Sequence, residues 1–211
     1  MKTIFQYSEY LTSEEDEILR QLRRETYLKT IMPRMISGHL QGKLLQFISI
    51  LKKPKLILEI GTFTGYSAIC LSKGLQENGK LITIEKNDEL APIIFKYLKL
   101  ANLEKKVQVI FDDALLFLDK TNINNIDLAF IDADKRYYWD YFVKIFPKMN
   151  KNGIILVDNI FWNGKVFEKN IPQNDYYTKG VIKFNENVRK LKNIELLTLP
   201  IRDGIMIIRK K

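Results

Sequence analysis

From about residue 54 onward the chain alternates short β-branched runs with amphipathic stretches, and this alternation limits the fold more than any other feature. Apolar runs of this length, separated by helical patterns, mark parallel strands covered by helices on both faces. Strands are expected at residues 55–60, 80–85, 107–111, 126–132, 153–158, 194–199 and 205–209. Helices are expected near 65–75, 88–101, 114–120, 137–149 and 178–191. The last two strands flank Pro200-Ile201-Arg202-Asp203-Gly204, a turn sequence, and read as a hairpin that adds an antiparallel strand. Residues 1–53 read as a helical extension: Thr12 or Ser13 is the expected cap before Glu14-Glu15-Asp16, a break falls at Met32-Pro33 and Ser37-Gly38, and a further helix covers 40–51. The expectation is an α/β fold with a doubly wound, mostly parallel, seven-stranded sheet, as a single domain over 1–211 whose core is 54–211.

With 211 residues and 46% hydrophobic side chains, one compact unit is the simplest organisation. No apolar run approaches the ~18 residues of a membrane span, and the N-terminus turns acidic where a signal peptide would be apolar. The single cysteine, Cys70, cannot form an intramolecular disulfide, which agrees with a reducing compartment and a cytoplasmic location. One cysteine and one histidine, His39, also argue against zinc, so any metal must be held mainly by oxygens: magnesium, manganese or calcium. The net charge of +9 is spread along the chain, the pattern of a solvated lysine-rich surface.

Ile57-Leu58-Glu59-Ile60-Gly61-Thr62-Phe63-Thr64-Gly65-Tyr66-Ser67 reads as a buried strand, a glycine-containing turn and a helix start. Gly61 leaves room for a ligand over the strand end, and Gly65 permits the turn into the helix. The G-x-G-x-x-G spacing of dinucleotide-binding turns is absent. Twenty residues after Gly65, Glu85 closes the next strand, where a carboxylate can accept hydrogen bonds from both hydroxyls of a ribose.

Two further strand ends carry oxygen ligands. Ile131-Asp132-Ala133-Asp134-Lys135 closes the fourth strand and Val157-Asp158-Asn159 the fifth. If these strands are parallel neighbours, both ends open on one edge and Asp132, Asp158 and Asn159 offer two carboxylates and an amide oxygen, a set suited to a hard cation. Taken singly, each acid could equally cap the next helix. Lys135 could serve as a general base or pair with Asp134 or Asp158. Residues 159–177 form the one long irregular stretch; Phe161, Trp162, Tyr176 and Tyr177 in or beside it could sandwich an aromatic ring or pack as ordinary core or dimer contacts.

Glu59-x-Gly61-x-x-x-Gly65-Tyr66-Ser67, together with IDADK followed by Tyr137-Tyr138 and the later VDN-x-x-W-x-G-K-V, resembles the cation-dependent, caffeoyl-CoA and catechol O-methyltransferase family of class I methyltransferases. The similarity runs from about Met35 through Asp203-Gly204 and includes Phe184-Asn185. It implies a Rossmann-like fold, S-adenosylmethionine as methyl donor, Mg²⁺ (or Mn²⁺ or Ca²⁺) as cation and a homodimer. By the resemblance, Ser67 and the amides near Phe63 meet the methionine carboxylate, Glu59 lies near its amino group, Glu85 holds the ribose, and Asp113-Ala114 stand near the adenine. Met35, Gly61, Gly65 and Asp132 complete the implied cofactor set; Asp132, Asp158 and Asn159 are the implied metal ligands and Lys135 the implied base, while Trp162, Tyr176 and Tyr177 are candidate substrate contacts from the loop's aromatic content alone. Relatives more often carry glycine where Asp112 stands, and proline and an acid where His39 and Leu40 stand.

The implied reaction is methyl transfer to one hydroxyl of a small aromatic substrate bearing two adjacent hydroxyls. Methylation of a hydroxylated uridine in transfer RNA, known of some bacterial relatives, is an alternative that the positive charge supports but no RNA-binding module accompanies. A nicotinamide-dependent oxidoreductase would lack its fingerprint and leave Asp158-Asn159 unexplained. A cofactor-binding scaffold without catalysis would have no use for Asp132, Lys135, Asp158 and Asn159 together.

Overall fold

The structure, a computed structural model, describes residues 3–211. In chain order its elements are α1 (Ile4–Leu11), α2 (Glu17–Lys29), α3 (Gly38–Lys52), β1 (Leu56–Ile60), α4 (Tyr66–Ser72), β2 (Lys80–Glu85), α5 (Ala91–Leu100), β3 (Val107–Phe111), α6 (Ala114–Lys120), β4 (Ile126–Ile131), α7 (Tyr138–Ile145), β5 (Met149–Val157), α8 (Tyr176–Arg189), β6 (Ile194–Leu199) and β7 (Ile205–Lys210). The seven strands form a sheet in the order β3-β2-β1-β4-β5-β7-β6. Pairs β2/β3 and β4/β5 are parallel, whereas β7 runs antiparallel to both β5 and β6. This is the expected Rossmann-like sheet with its C-terminal hairpin. Strand order reverses between β1 and β4, the place where open α/β sheets bind ligands beyond the strand ends.

The chain divides into two compact units, one of residues up to Ile57 with Thr62–Phe111, the other of Leu58–Gly61 with Asp112–Lys211. In the first, α2 buries Leu19, Leu22 and Thr26, a stripe at helical spacing. Its cap is Asp16, whose carboxylate accepts from the Ile18 amide at 3.0 Å. Thr12, an expected cap, instead closes the C-terminal end of α1, because the apolar-aromatic segment before it is itself helical. A buried link ties α2 to the glycine turn, Thr26 Oγ1 donating to Thr64 Oγ1 at 3.0 Å, and a half-buried one ties the segment just before α2 to α4, the Tyr66 hydroxyl donating to Glu15 at 2.7 Å.

The second unit holds the end of β1 and all of β4 to β7, with an aromatic core in which Tyr138 and Phe142 of α7 meet Phe184 of α8 edge to face, ring centres 5.8 and 6.0 Å apart. Helix boundaries fall short of the expected ones where proline intervenes. Pro92 follows a tight turn at Asp88–Leu90 and sits in the first turn of α5; Pro147 lies in the tight turn Phe146–Lys148 that ends α7. Strand β5 begins at Met149, four residues before the expected start, its polar opening Asn150-Lys151-Asn152 carrying no β pattern. Among the described residues no helix is long and apolar enough to cross a membrane.

Glu25 on α2 gathers three donors: Lys29 at 2.8 Å, the Tyr97 hydroxyl at 2.7 Å, and Lys96. Hydrogen bonds from Lys29, then Lys96 and Tyr97, hold its carboxyl down at about 2. A depressed carboxylate stabilises the fold above its unfolded pKa and loses that contribution as pH falls through the folded value. Glu25→Gln should therefore lower Tm at pH 7, by roughly 2–4 °C for each kcal/mol lost, with the gap from wild type closing as pH drops from about 4.5 toward 2. Thermal melts across that range check it.

Candidate active site

The site is assembled by strand register. Along β4 and β5 the partners are Phe130 with Leu156 and Ile131 with Val157, so the next residues, Asp132 and Asp158, leave neighbouring strands on the same edge. The backbone continues the ladder: Asp158 N–H donates to the Ile131 carbonyl at 3.1 Å, and Asp132 N–H donates to the Ile60 carbonyl at 2.9 Å. Asp158 is 3% exposed, whereas Asp132 is half-buried.

Asn159 follows with left-handed backbone (φ +55°). Its N–H donates to Asp158 Oδ1 at 2.8 Å, and its side-chain nitrogen points to Asp203 Oδ2 at 3.4 Å, which leaves the amide oxygen as the opposite end of the group. Asp203, in the β6–β7 turn, was not a sequence-derived candidate. It also accepts from the Asn163 N–H at 2.7 Å, while its carbonyl accepts from Phe161 N–H at 3.0 Å. The Asn185 side chain donates to the Ile160 carbonyl at 2.9 Å. These bonds hold a segment in which Trp162 (φ +48°), Asn163 and Gly164 are all left-handed, a conformation that costs a bulky residue about 1–2 kcal/mol. The signal that could have found Asp203 is long-range, 44 residues from Asn159, and no local pattern encodes it.

Lys135 lies in the tight turn Lys135–Tyr137, which Asp134 caps through the Arg136 N–H. Its ammonium pairs with Asp132, Nζ to Oδ1 2.8 Å, with only 11% of the side chain exposed. Of the sequence-derived partners, Asp134 pairs with Arg136 instead. Burial works against the charge on Lys135, but the Asp132 carboxylate and the Tyr138 hydroxyl outweigh it and hold the ammonium above its ordinary range. Gly180 of α8 packs against the backbone here; a Cβ would lie 2.4 Å from the Lys135 carbonyl oxygen. Trp162 and Tyr177 stack on each other, ring centres 6.1 Å apart at 16°, with Tyr177 43% and Tyr176 63% exposed. The expected irregular stretch is interrupted by a tight turn over Trp162–Phe167, and Tyr176 and Tyr177 open α8.

In the same unit, Glu59 is fully buried near the end of β1 and Gly61 follows the strand with φ +99°. The glycine is needed for a reason other than ligand clearance: a Cβ there would stand 2.0 Å from the Asp132 carbonyl oxygen. Asp113 caps α6, accepting from Leu115 N–H at 2.9 Å, and Ala114 is that helix's first residue.

In the other unit, Gly65 (φ +91°) starts α4, and Ser67 is buried in that helix's first turn. Glu85 at the tip of β2 accepts from the Phe63 N–H at 2.7 Å through one oxygen and from the Lys86 and Asn87 N–H groups at 2.9 Å through the other. The Phe63 amide, expected at a ligand carboxylate, is thus engaged by Glu85. Met35 ends the tight turn Pro33–Met35 and is 51% exposed. Among the described residues no group of three or more His, Cys, Asp or Glu side chains converges as a metal cluster. The Asp132, Asp158 and Asn159 set contains two carboxylates and one amide.

Comparison with known proteins agrees with this architecture. Residues 9–211 match the O-methyltransferase family. The chain is 32% identical over 206 residues to caffeoyl-CoA O-methyltransferase of Stellaria longipes, covering 93% of this chain and 84% of the relative. Among solved structures it resembles the O-methyltransferase TomG of Streptomyces achromogenes in complex with S-adenosylmethionine (TM-score 0.89, 27% identity, 99% of this chain and 96% of that one). It also resembles an O-methyltransferase from Bacillus cereus in complex with S-adenosylhomocysteine (TM-score 0.89, 27% identity, 99% and 97%). The chain belongs to the caffeoyl-CoA O-methyltransferase-like family of class I enzymes and is an S-adenosylmethionine-dependent methyltransferase.

The two turn glycines differ in what a side chain would meet. Gly61→Ala forces the Asp132 backbone to move and should cost about 3 kcal/mol or more, whereas Gly65→Ala, with only an Ile94 methyl at 3.9 Å, should cost about 1–2 kcal/mol from its positive φ. Urea unfolding of the two variants measures the difference.

Proposed function

We propose that this enzyme transfers a methyl group from S-adenosylmethionine to one hydroxyl of a small aromatic substrate carrying two adjacent hydroxyls. Asp132, Asp158 and Asn159 hold a hard divalent cation, Mg²⁺ or else Mn²⁺ or Ca²⁺, and Lys135 is the general base. The observation that carries this reading is the Ile131–Val157 register, by which Asp132 and Asp158 follow directly on neighbouring strand ends, together with the Lys135 ammonium 2.8 Å from Asp132. The donor set fits such an ion: it is all oxygen, carries two negative charges, and has its amide nitrogen turned toward Asp203. The cofactor is assigned to Met35, Glu59, Gly61, Phe63, Gly65, Ser67, Glu85, Asp113, Ala114 and Asp132. Buried Glu59 and the Glu85 carboxylate at a strand tip suit the amino group and ribose hydroxyls of that molecule.

S-adenosylmethionine would supply an electrophilic methyl group there, and a cation held by Asp132, Asp158 and Asn159 would favour ionisation of the acceptor hydroxyl. The residues of the chain do the rest. Lys135 can take the hydroxyl proton on Nζ only as the neutral amine, so its ammonium must first release a proton to solvent, a loss that the paired Asp132 carboxylate opposes and that separation from Asp132 eases. Trp162, with Tyr176 and Tyr177, is assigned to the substrate ring, its indole N–H being buried without a hydrogen-bond partner among the described residues. The caffeoyl-CoA named for the relatives carries vicinal hydroxyls on its ring, which supports this substrate class. A homodimer and a cytoplasmic location are part of the same proposal. Transfer RNA is the less favoured acceptor, the basic residues being dispersed.

Methyl transfer from labelled S-adenosylmethionine, run over a panel of catechols and hydroxylated transfer RNA with and without chelator, tests the proposal. Chelator should abolish transfer to catechols. Asp158→Ala should lower kcat by roughly 10³-fold or more while thermal stabilisation by S-adenosylhomocysteine persists. Wild-type turnover in that variant would remove the ligand assignment.

A further inference from the structure

Tyr138 is assigned no step in the chemistry above, yet its hydroxyl is acted on by the charges of Lys135, Asp132 and Asp158. The side chain is 0% exposed, and its ring is held edge-on by Phe184. The hydroxyl oxygen has no hydrogen-bond partner among the described residues, which is unusual for a buried polar atom. Lys135 Nζ lies 5.2 Å from the ring centre. Burial first, and then the negative charges of Asp132 and Asp158 against the opposing pull of Lys135, keep the phenol protonated, so it is a neutral group that both donates and accepts.

The proposed function creates a demand that this hydroxyl can meet. Lys135 holds Asp132 Oδ1 at 2.8 Å, and a divalent cation on the same carboxylate would repel the ammonium. Lys135 then needs another acceptor in a buried place, because an ammonium left there without one is strongly disfavoured. The Trp162 indole, 5.9 Å from Nζ and also unpartnered, cannot serve, since it only donates. We infer that the Tyr138 hydroxyl is the alternative acceptor for Lys135, taking over its hydrogen bond when a cation occupies Asp132, and that Tyr138 is therefore a positioning residue acting through Lys135. This inference rests on the cation reading of the site. Only hydrogen bonds are exchanged, and no proton changes owner.

The test is Mn²⁺ binding to the protein without cofactor or substrate, followed by the paramagnetic resonance of free Mn²⁺. Tyr138→Phe should bind Mn²⁺ about tenfold more weakly than wild type, the worth of one hydrogen bond to a charged group. Lys135→Gln, which removes the competing ammonium, should bind it more tightly, and adding Tyr138→Phe in that background should change nothing. A second readout needs no substitution at Tyr138: its ring carbon bearing the hydroxyl should shift in NMR when Mg²⁺ is added to wild type, and shift much less in Lys135→Gln. Unchanged affinity in Tyr138→Phe overturns the inference, as does an equal loss with Lys135 absent, which would mark a merely structural role. No Mn²⁺ binding by the wild type overturns the cation reading itself, and the inference with it.

Discussion

The parallel register of β4 against β5 is the constraint on which the rest of the site depends. A strand's side chains alternate between faces, so a one-residue slip would send Asp158 to the opposite side of the sheet from its present position. The register is held by apolar partners buried on both strands, Phe130 and Ile131 against Leu156 and Val157, all 0% exposed. It is prolonged past the strands by the backbone bonds from Asp158 to Ile131 and from Asp132 to Ile60. Asp132 and Asp158 thus follow directly on the apolar ends of β4 and β5, which sets both at the sheet's edge.

Around those two carboxylates the fold invests in fixing backbone. The β6–β7 turn, through Asp203, grips the left-handed segment from Asn159 to Gly164, and Asn185 of α8 grips it again at Ile160. Gly180 lets α8 approach the Lys135 carbonyl, and Gly61 lets the end of β1 approach that of Asp132. Close backbone packing of this kind transmits little slack, so the Asp132 and Lys135 side chains start from a rigid base.

Much of this was legible in the sequence, and for identifiable reasons. Strands β2, β3 and β6 match their expected bounds because each is a β-rich run ended by turn residues, and the two acidic strand ends stood out because oxygen-bearing side chains recur at the same place in consecutive strands. What was not legible depends on distant partners. The reason for Gly61 is the carbonyl of Asp132, 71 positions later and without sequence signature. The acceptor that Lys135 chooses, Asp132 rather than Asp134 or Asp158, follows from the direction of a tight turn, and Tyr138 reads as an ordinary core residue until its orphaned hydroxyl is seen. At the N-terminus, Thr12 or Ser13 was the expected cap, whereas the structure caps α2 with Asp16 and uses Thr12 to close the preceding helix.

The central claim is that oxygens from two adjoining strand ends share one cation. Anomalous diffraction from crystals grown with Mn²⁺ tests it most directly. The account predicts an anomalous peak within about 2.3 Å of carboxylate oxygens of both Asp132 and Asp158 and of the Asn159 amide oxygen. A peak bound elsewhere, or none at saturating Mn²⁺, would contradict it.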